Sequence, residues 1–131
     1  MKYPSLQFPY LLILSFFFIQ ACGDDDSTDE NSCIGDLLGI WQVTGFIPSS
    51  ANCSGLTTYE ISTGSANNIL SLSIFNDTRT LSGSGLVNTN CTEMTYTVSQ
   101  GQSIVSGAIS FNGRMFEDQS DLGCLVSASK Q

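Results

Sequence analysis

The sequence predicts an all-β domain, an antiparallel meander of about eight short strands closing into a small barrel. Three observations carry this expectation. The chain after Leu37 is rich in Ser, Thr and Gly and lacks runs of helix formers. Apolar and polar residues alternate in short segments, the period of a half-buried strand. Hairpin-length turns separate these segments, and a meander with exposed edges hides them by closing on itself.

The first strand, 38–46, puts Trp41, Val43 and Gly45 on one face and Ile40, Gln42 and Thr44 on the other. Pro48 lacks the N–H a ladder needs, so 47–53 reads as a loop. A second strand covers 56–62, and 63–68 turn the chain. The clearest alternation follows, with Leu70, Leu72 and Ile74 on one face and Ser71 and Ser73 opposite. Asn76-Asp77 is a turn pair. The returning strand, 79–87, lines up Leu81, Gly83, Gly85 and Val87, and two glycines on one face mark a bend or a close approach. Met94, Tyr96 and Val98 then alternate with Thr95 and Thr97. After the tight turn at 100–102 comes a strand over 103–111. Asn112-Gly113 reads as a type I′ hairpin, and 114–117 as its partner. Residues 118–121 read as loop and 122–127 as the last strand, with no amphipathic helix and no internal repeat.

Ahead of this body, 1–21 has the layout of an export signal: Lys2, an apolar run from Leu11 to Ile19, and Ala21 before the cut. The run is nine residues long, against roughly 20 for a spanning helix. Residues 19–22, Ile-Gln-Ala-Cys, resemble the lipobox of bacterial lipoproteins. The resemblance implies cleavage before Cys22 and a diacylglyceryl thioether on its sulfur, with a further acyl chain of the palmitate type on the new N-terminus and the membrane as partner; two or more chains anchor stably. Residues 22–36 form the tether, where 24–30 carry five carboxylates and no large apolar residue. Such a stretch cannot bury enough surface to offset its ordering entropy. An acidic run directly after the lipidated cysteine resembles the export signal of surface-displayed lipoproteins in the Bacteroidetes. This implies an outer-membrane protein facing the medium, with 37–131 as its folded domain.

Net charge narrows the function. The chain stands at −8 with four basic residues and no histidine. Nucleic-acid binding needs Lys and Arg to displace counterions, so it is not expected. Nucleophile pairs and zinc sites built on imidazole are excluded outright. Glu60, Glu93, Glu117, Asp118 and Asp121 are the carboxylates available for acid–base work; the last three cluster in or beside one loop and read as a solvated loop. No Gly-x-Ser-x-Gly elbow and no calcium loop occurs. The expectation is a protein without cofactor, metal or catalytic activity.

Without Cys22, four cysteines remain: Cys33, Cys53, Cys91 and Cys124. In an exported small domain they read as two disulfides, with three pairings open.

Gly39-Ile40-Trp41, within 37–43, resembles the Gly-x-Trp signature that opens lipocalin and other calycin barrels. The chain most resembles the short lipocalin-like lipoproteins of the Bacteroidetes, in which a tether precedes this signature. There, one cysteine lies just before the second strand and another a few strands later. Cys53 and Cys91 hold those places, so the resemblance implies a Cys53–Cys91 link. Closure of the barrel then leaves Cys33 with Cys124. It also implies that Trp41 plugs one barrel end beside Gly39, with Arg114 as the late arginine covering its ring. The function expected is binding of a small apolar ligand or a lipid or glycan fragment, in a pocket lined by Leu70, Leu72, Ile74, Leu81, Met94, Tyr96, Val98, Ile109 and Phe111. A barrel this small is also able to fill its own interior, which leaves a scaffold whose loops contact an unknown protein partner as the other reading.

Overall fold

The computed structural model describes residues 32–47, 55–121 and 123–131. The export signal, the lipobox with Cys22, the acidic run and Cys53 lie outside the described residues. Eight strands close a barrel in sequence order: β1 Gly39–Ile47, β2 Leu56–Ala66, β3 Ile69–Asn76, β4 Thr80–Val87, β5 Glu93–Gln100, β6 Ser103–Asn112, β7 Met115–Ser120 and β8 Leu125–Lys130. Each pairs antiparallel with the next, and β8 returns to β1 through pairs such as Trp41 with Lys130 and Ile47 with Leu125. The all-β meander barrel read from the sequence is therefore the fold.

Alternation puts the core inside. Trp41, Leu70, Leu72, Ile74, Leu81, Met94, Tyr96, Val98 and Ile109 are all buried, and their chain neighbours on each strand are more exposed. The two glycines of β4 act as expected. A Cβ on Gly83 would sit 2.0 Å from the Thr97 carbonyl oxygen, and one on Gly85 would sit 2.5 Å from Met94 Sδ. Their bare backbone lets β5 fold tightly over β4.

Several elements differ from the sequence reading. A short helix, α1 Ser32–Leu37, packs against the barrel through Ile34 and buried Leu37, so the folded body reaches back to Ser32, inside the stretch 22–36 expected to be tether. Its six residues are too few to show a helical period in sequence. The β6–β7 hairpin pairs Asn112 with Met115, so its two loop residues are Gly113 and Arg114. Gly113 has φ +60° and Arg114 is not left-handed, which places glycine first, as in type II′, rather than second, as in the expected type I′. Of residues 118–121, read as loop, only Asp121 lies in a turn, because β7 continues to Ser120; β8 starts three residues later than the last strand read from the sequence.

The disulfide pairing is a correction. Cys33 bonds Cys91 across 58 residues, in place of the expected Cys53–Cys91 and Cys33–Cys124 links. Strand direction explains it. In an up-and-down barrel, residues just before odd-numbered strands lie at one rim, and those just before even-numbered strands at the other. Cys33 precedes β1 and Cys91 precedes β5, so they share a rim. Cys124 precedes β8 and belongs to the opposite rim, although β1 and β8 are neighbours. Cys124 is itself in a disulfide.

The two rims are unlike. One carries α1, the turns after β2, β4 and β6, and the chain's last residue. Trp41 fills it, its ring 5.1 Å from Phe116 and 5.7 Å from Phe111. The Trp41 indole N–H donates to the Leu37 carbonyl at 2.9 Å, and Lys130 Nζ donates to the Asp36 carbonyl at 2.6 Å. These bonds satisfy carbonyls that a helix end leaves without partners. The other rim is where β1, β3, β5 and β7 end, and it leads into a cavity.

Candidate ligand cavity

The cavity has a volume of about 280 Å³. Leu56, Tyr59, Ile74, Leu81 and Val105 form its apolar wall; Asn76, Arg79, Ser103 and Ser120 stand towards the rim. This is near the lower end of small-molecule pockets, and the mixture of apolar wall and few polar groups is typical of them. Turn chemistry holds the rim. The Asn76 side-chain oxygen accepts from the Thr78 and Arg79 backbone N–H groups at 2.8 and 2.9 Å, fixing the β3–β4 connection that carries Arg79.

Asp118 also lines the cavity and is 2% exposed. On β7 it follows Phe116 and precedes Ser120 by two residues each, so all three share the inward face, and Glu117 points out. The Tyr59 hydroxyl donates to Asp118 Oδ2 at 2.7 Å, and the Tyr96 hydroxyl donates to the same oxygen at 2.9 Å. Asp118 Oδ1 is buried and meets no donor among the described residues. Gly107 makes this cluster possible, since a Cβ there would stand 2.6 Å from the Tyr96 hydroxyl.

Burial pushes the Asp118 carboxyl up to about 6, while the two tyrosine hydrogen bonds pull the other way. Burial, and then the Asp118 charge, raise both phenols above their ordinary range, so they remain donors at neutral pH. The Asp118 shift makes folding pH-dependent with a definite sign. The folded chain takes up this proton before the unfolded chain does as pH falls. The contribution to stability is thus complete below the ordinary carboxylate range and is lost as pH rises through about 6. Relative to Asp118→Asn, the wild type is expected to gain about 2 kcal/mol between about pH 7 and about pH 4, by urea denaturation at each pH. A constant difference would mean that Asp118 titrates like an exposed acid.

Most of the expected lining residues serve another purpose. Ile74 and Leu81 do line the cavity. Leu70, Leu72, Met94, Val98 and Ile109 are core filling, Tyr96 belongs to the carboxylate cluster, and Phe111 packs on Trp41. The barrel is filled in the half nearest Trp41 and hollow in the other. Nor does Arg114 cover the indole: Lys130 Nζ lies 5.9 Å from the Trp41 ring centre. Lys130 is paired directly beside Trp41 through β8, whereas Arg114 is exposed in a hairpin, its guanidinium 3.5 Å from the Lys130 carbonyl. Gly39 does stand beside the plug, with φ +130°. Of the other carboxylates, Glu60, Glu93, Glu117 and Asp121 are exposed.

Comparison of the chain with protein-family models, curated proteins and solved structures finds no match.

Proposed function

We propose that this protein is a lipid-anchored binding module without catalytic activity. In this reading it is acylated at Cys22, displayed at the outer-membrane surface, and takes a small, largely apolar ligand into the barrel. The carrying observation is a cavity of about 280 Å³ with apolar walls inside an otherwise packed barrel. An eight-stranded barrel is able to close its interior with its own side chains or to hold one small ligand, and the open half leaves room for the second. The lipobox at 19–22 and the acidic run behind it support the address. The phenols of Tyr59 and Tyr96 are held protonated, and the carboxylate they bind has no second acid or base beside it in the cavity among the described residues, which supports binding over catalysis.

Native mass spectrometry of the full-length protein from its own host tests this. The expected spectrum shows the acyl mass, two disulfides and a ligand adduct. Ile74→Trp, which fills the cavity, is expected to remove the adduct and keep the fold. A ligand-free wild type, or an adduct retained in the folded variant, would leave the scaffold reading in its place.

A further inference from the structure

The buried carboxylate says more about the occupant than the apolar wall does. Asp118 Oδ2 is taken by two hydroxyl donors, and Oδ1 finds none among the described residues. A buried polar atom without a partner is rare, and a buried charge without one is costly. Here the orphaned oxygen belongs to a residue lining the cavity. Tyr59 and Tyr96 both donate, so neither supplies a counter-charge.

Resting on the binding-module reading, we propose that the cavity selects a small organic cation, a protonated amine on an apolar body, with its ammonium bound to the Asp118 carboxylate. The apolar body then lies against Ile74, Leu81 and Val105. Arg79 and Asn76 stand at the rim, where they suit an acceptor at the ligand's outer end. The charge order along the cavity is thus anionic inside and cationic at the rim. An ammonium gives the stronger, charge-assisted form of the missing hydrogen bond, which a neutral alcohol of the same size does not.

Few groups compete in the pH response. Tyr59 of β2 and Tyr96 of β5 touch the carboxylate, Arg79 stands at the rim before β4, and Asp121 lies beyond β7 close enough to act on Tyr96. Strands β1, β3, β6 and β8 face the interior with Trp41, Ile74, Val105, Ile109, Val126 and Ala128, none of which titrates.

Calorimetry with 2-phenylethylamine and 2-phenylethanol on the whole protein is the test. At about pH 7.5 the amine is expected to bind about tenfold or more tightly than the alcohol. That preference is expected to vanish at about pH 5, where Asp118 is protonated and the amine is still charged, and to vanish in Asp118→Asn. Comparing the two probes on wild type alone keeps the test intact if the variant does not fold. Equal affinities, or a preference that persists at low pH, would overturn the proposal. So would failure of both probes to bind. A ligand adduct in the native spectrum would then show that the cavity reading stands without the ammonium.

Discussion

Trp41→Ala is expected to destabilise the barrel by about 4 kcal/mol or more, enough to leave a domain of ordinary stability partly unfolded at room temperature. The ring is fully buried, touches Phe111 and Phe116, and lies beneath Lys130. Truncation opens a void that these two rings are unable to fill by sliding, because each is held on a β-ladder. It also strips the Leu37 carbonyl of its donor, so α1 loses both a bond and its packing surface. Trp41→Phe separates the two effects. It keeps most of the volume and drops the N–H, and about 1–2 kcal/mol is expected from the lost bond and the smaller ring. Urea denaturation followed by far-ultraviolet circular dichroism measures both. If Trp41→Ala costs no more than Trp41→Phe, the ring is not the stopper of this rim.

Replacing Cys33 and Cys91 together by alanine is expected to cost about 4 kcal/mol, the chain entropy of a closed loop of 58 residues. The loss should appear in the unfolding midpoint under non-reducing conditions and nearly disappear when both proteins are reduced. Mapping the second bridge bears on the same rims. Cys22 is acylated in the proposed reading, so Cys124 is expected to be linked to Cys53. Trypsin cannot resolve this, since Cys33 and Cys53 share the fragment ending at Arg79. Chymotryptic cleavage at Trp41 and Phe46 separates them. A fragment joining Cys124 to Cys22 would overturn both the pairing and the lipid.

The strands were legible because their signals are local. Leu70-Ser-Leu-Ser-Ile74 alternates without interruption, and Gly83 and Gly85 mark a real close approach. The pairing of Cys33 with Cys91 was legible in principle too, from counting how many strands separate them. Proximity of the first and last strands misleads, because antiparallel neighbours begin at opposite rims. The buried carboxylate was missed for a different reason. Asp118 sits in Phe-Glu-Asp-Gln-Ser, a polar stretch that reads as loop on composition. Extending the two-residue period from Phe116 through Asp118 to Ser120 would have placed it inside. Nothing local, however, announces that Tyr59 and Tyr96, 59 and 22 residues away, converge on one of its oxygens. That arrangement exists only once the barrel closes. The exchange of Arg114 for Lys130 is similar, since it depends on where β8 stops.

The chain begins its fold, at Ser32, and finishes it, at Gln131, on the same side of the molecule, the side sealed by the indole. Anything that grips the polypeptide upstream of Ser32 therefore holds the barrel by its base, like a cup fixed to a stem. The hollow half opens at the opposite end of the barrel from Ser32, so a solute entering it passes the rim farthest from where the described chain begins.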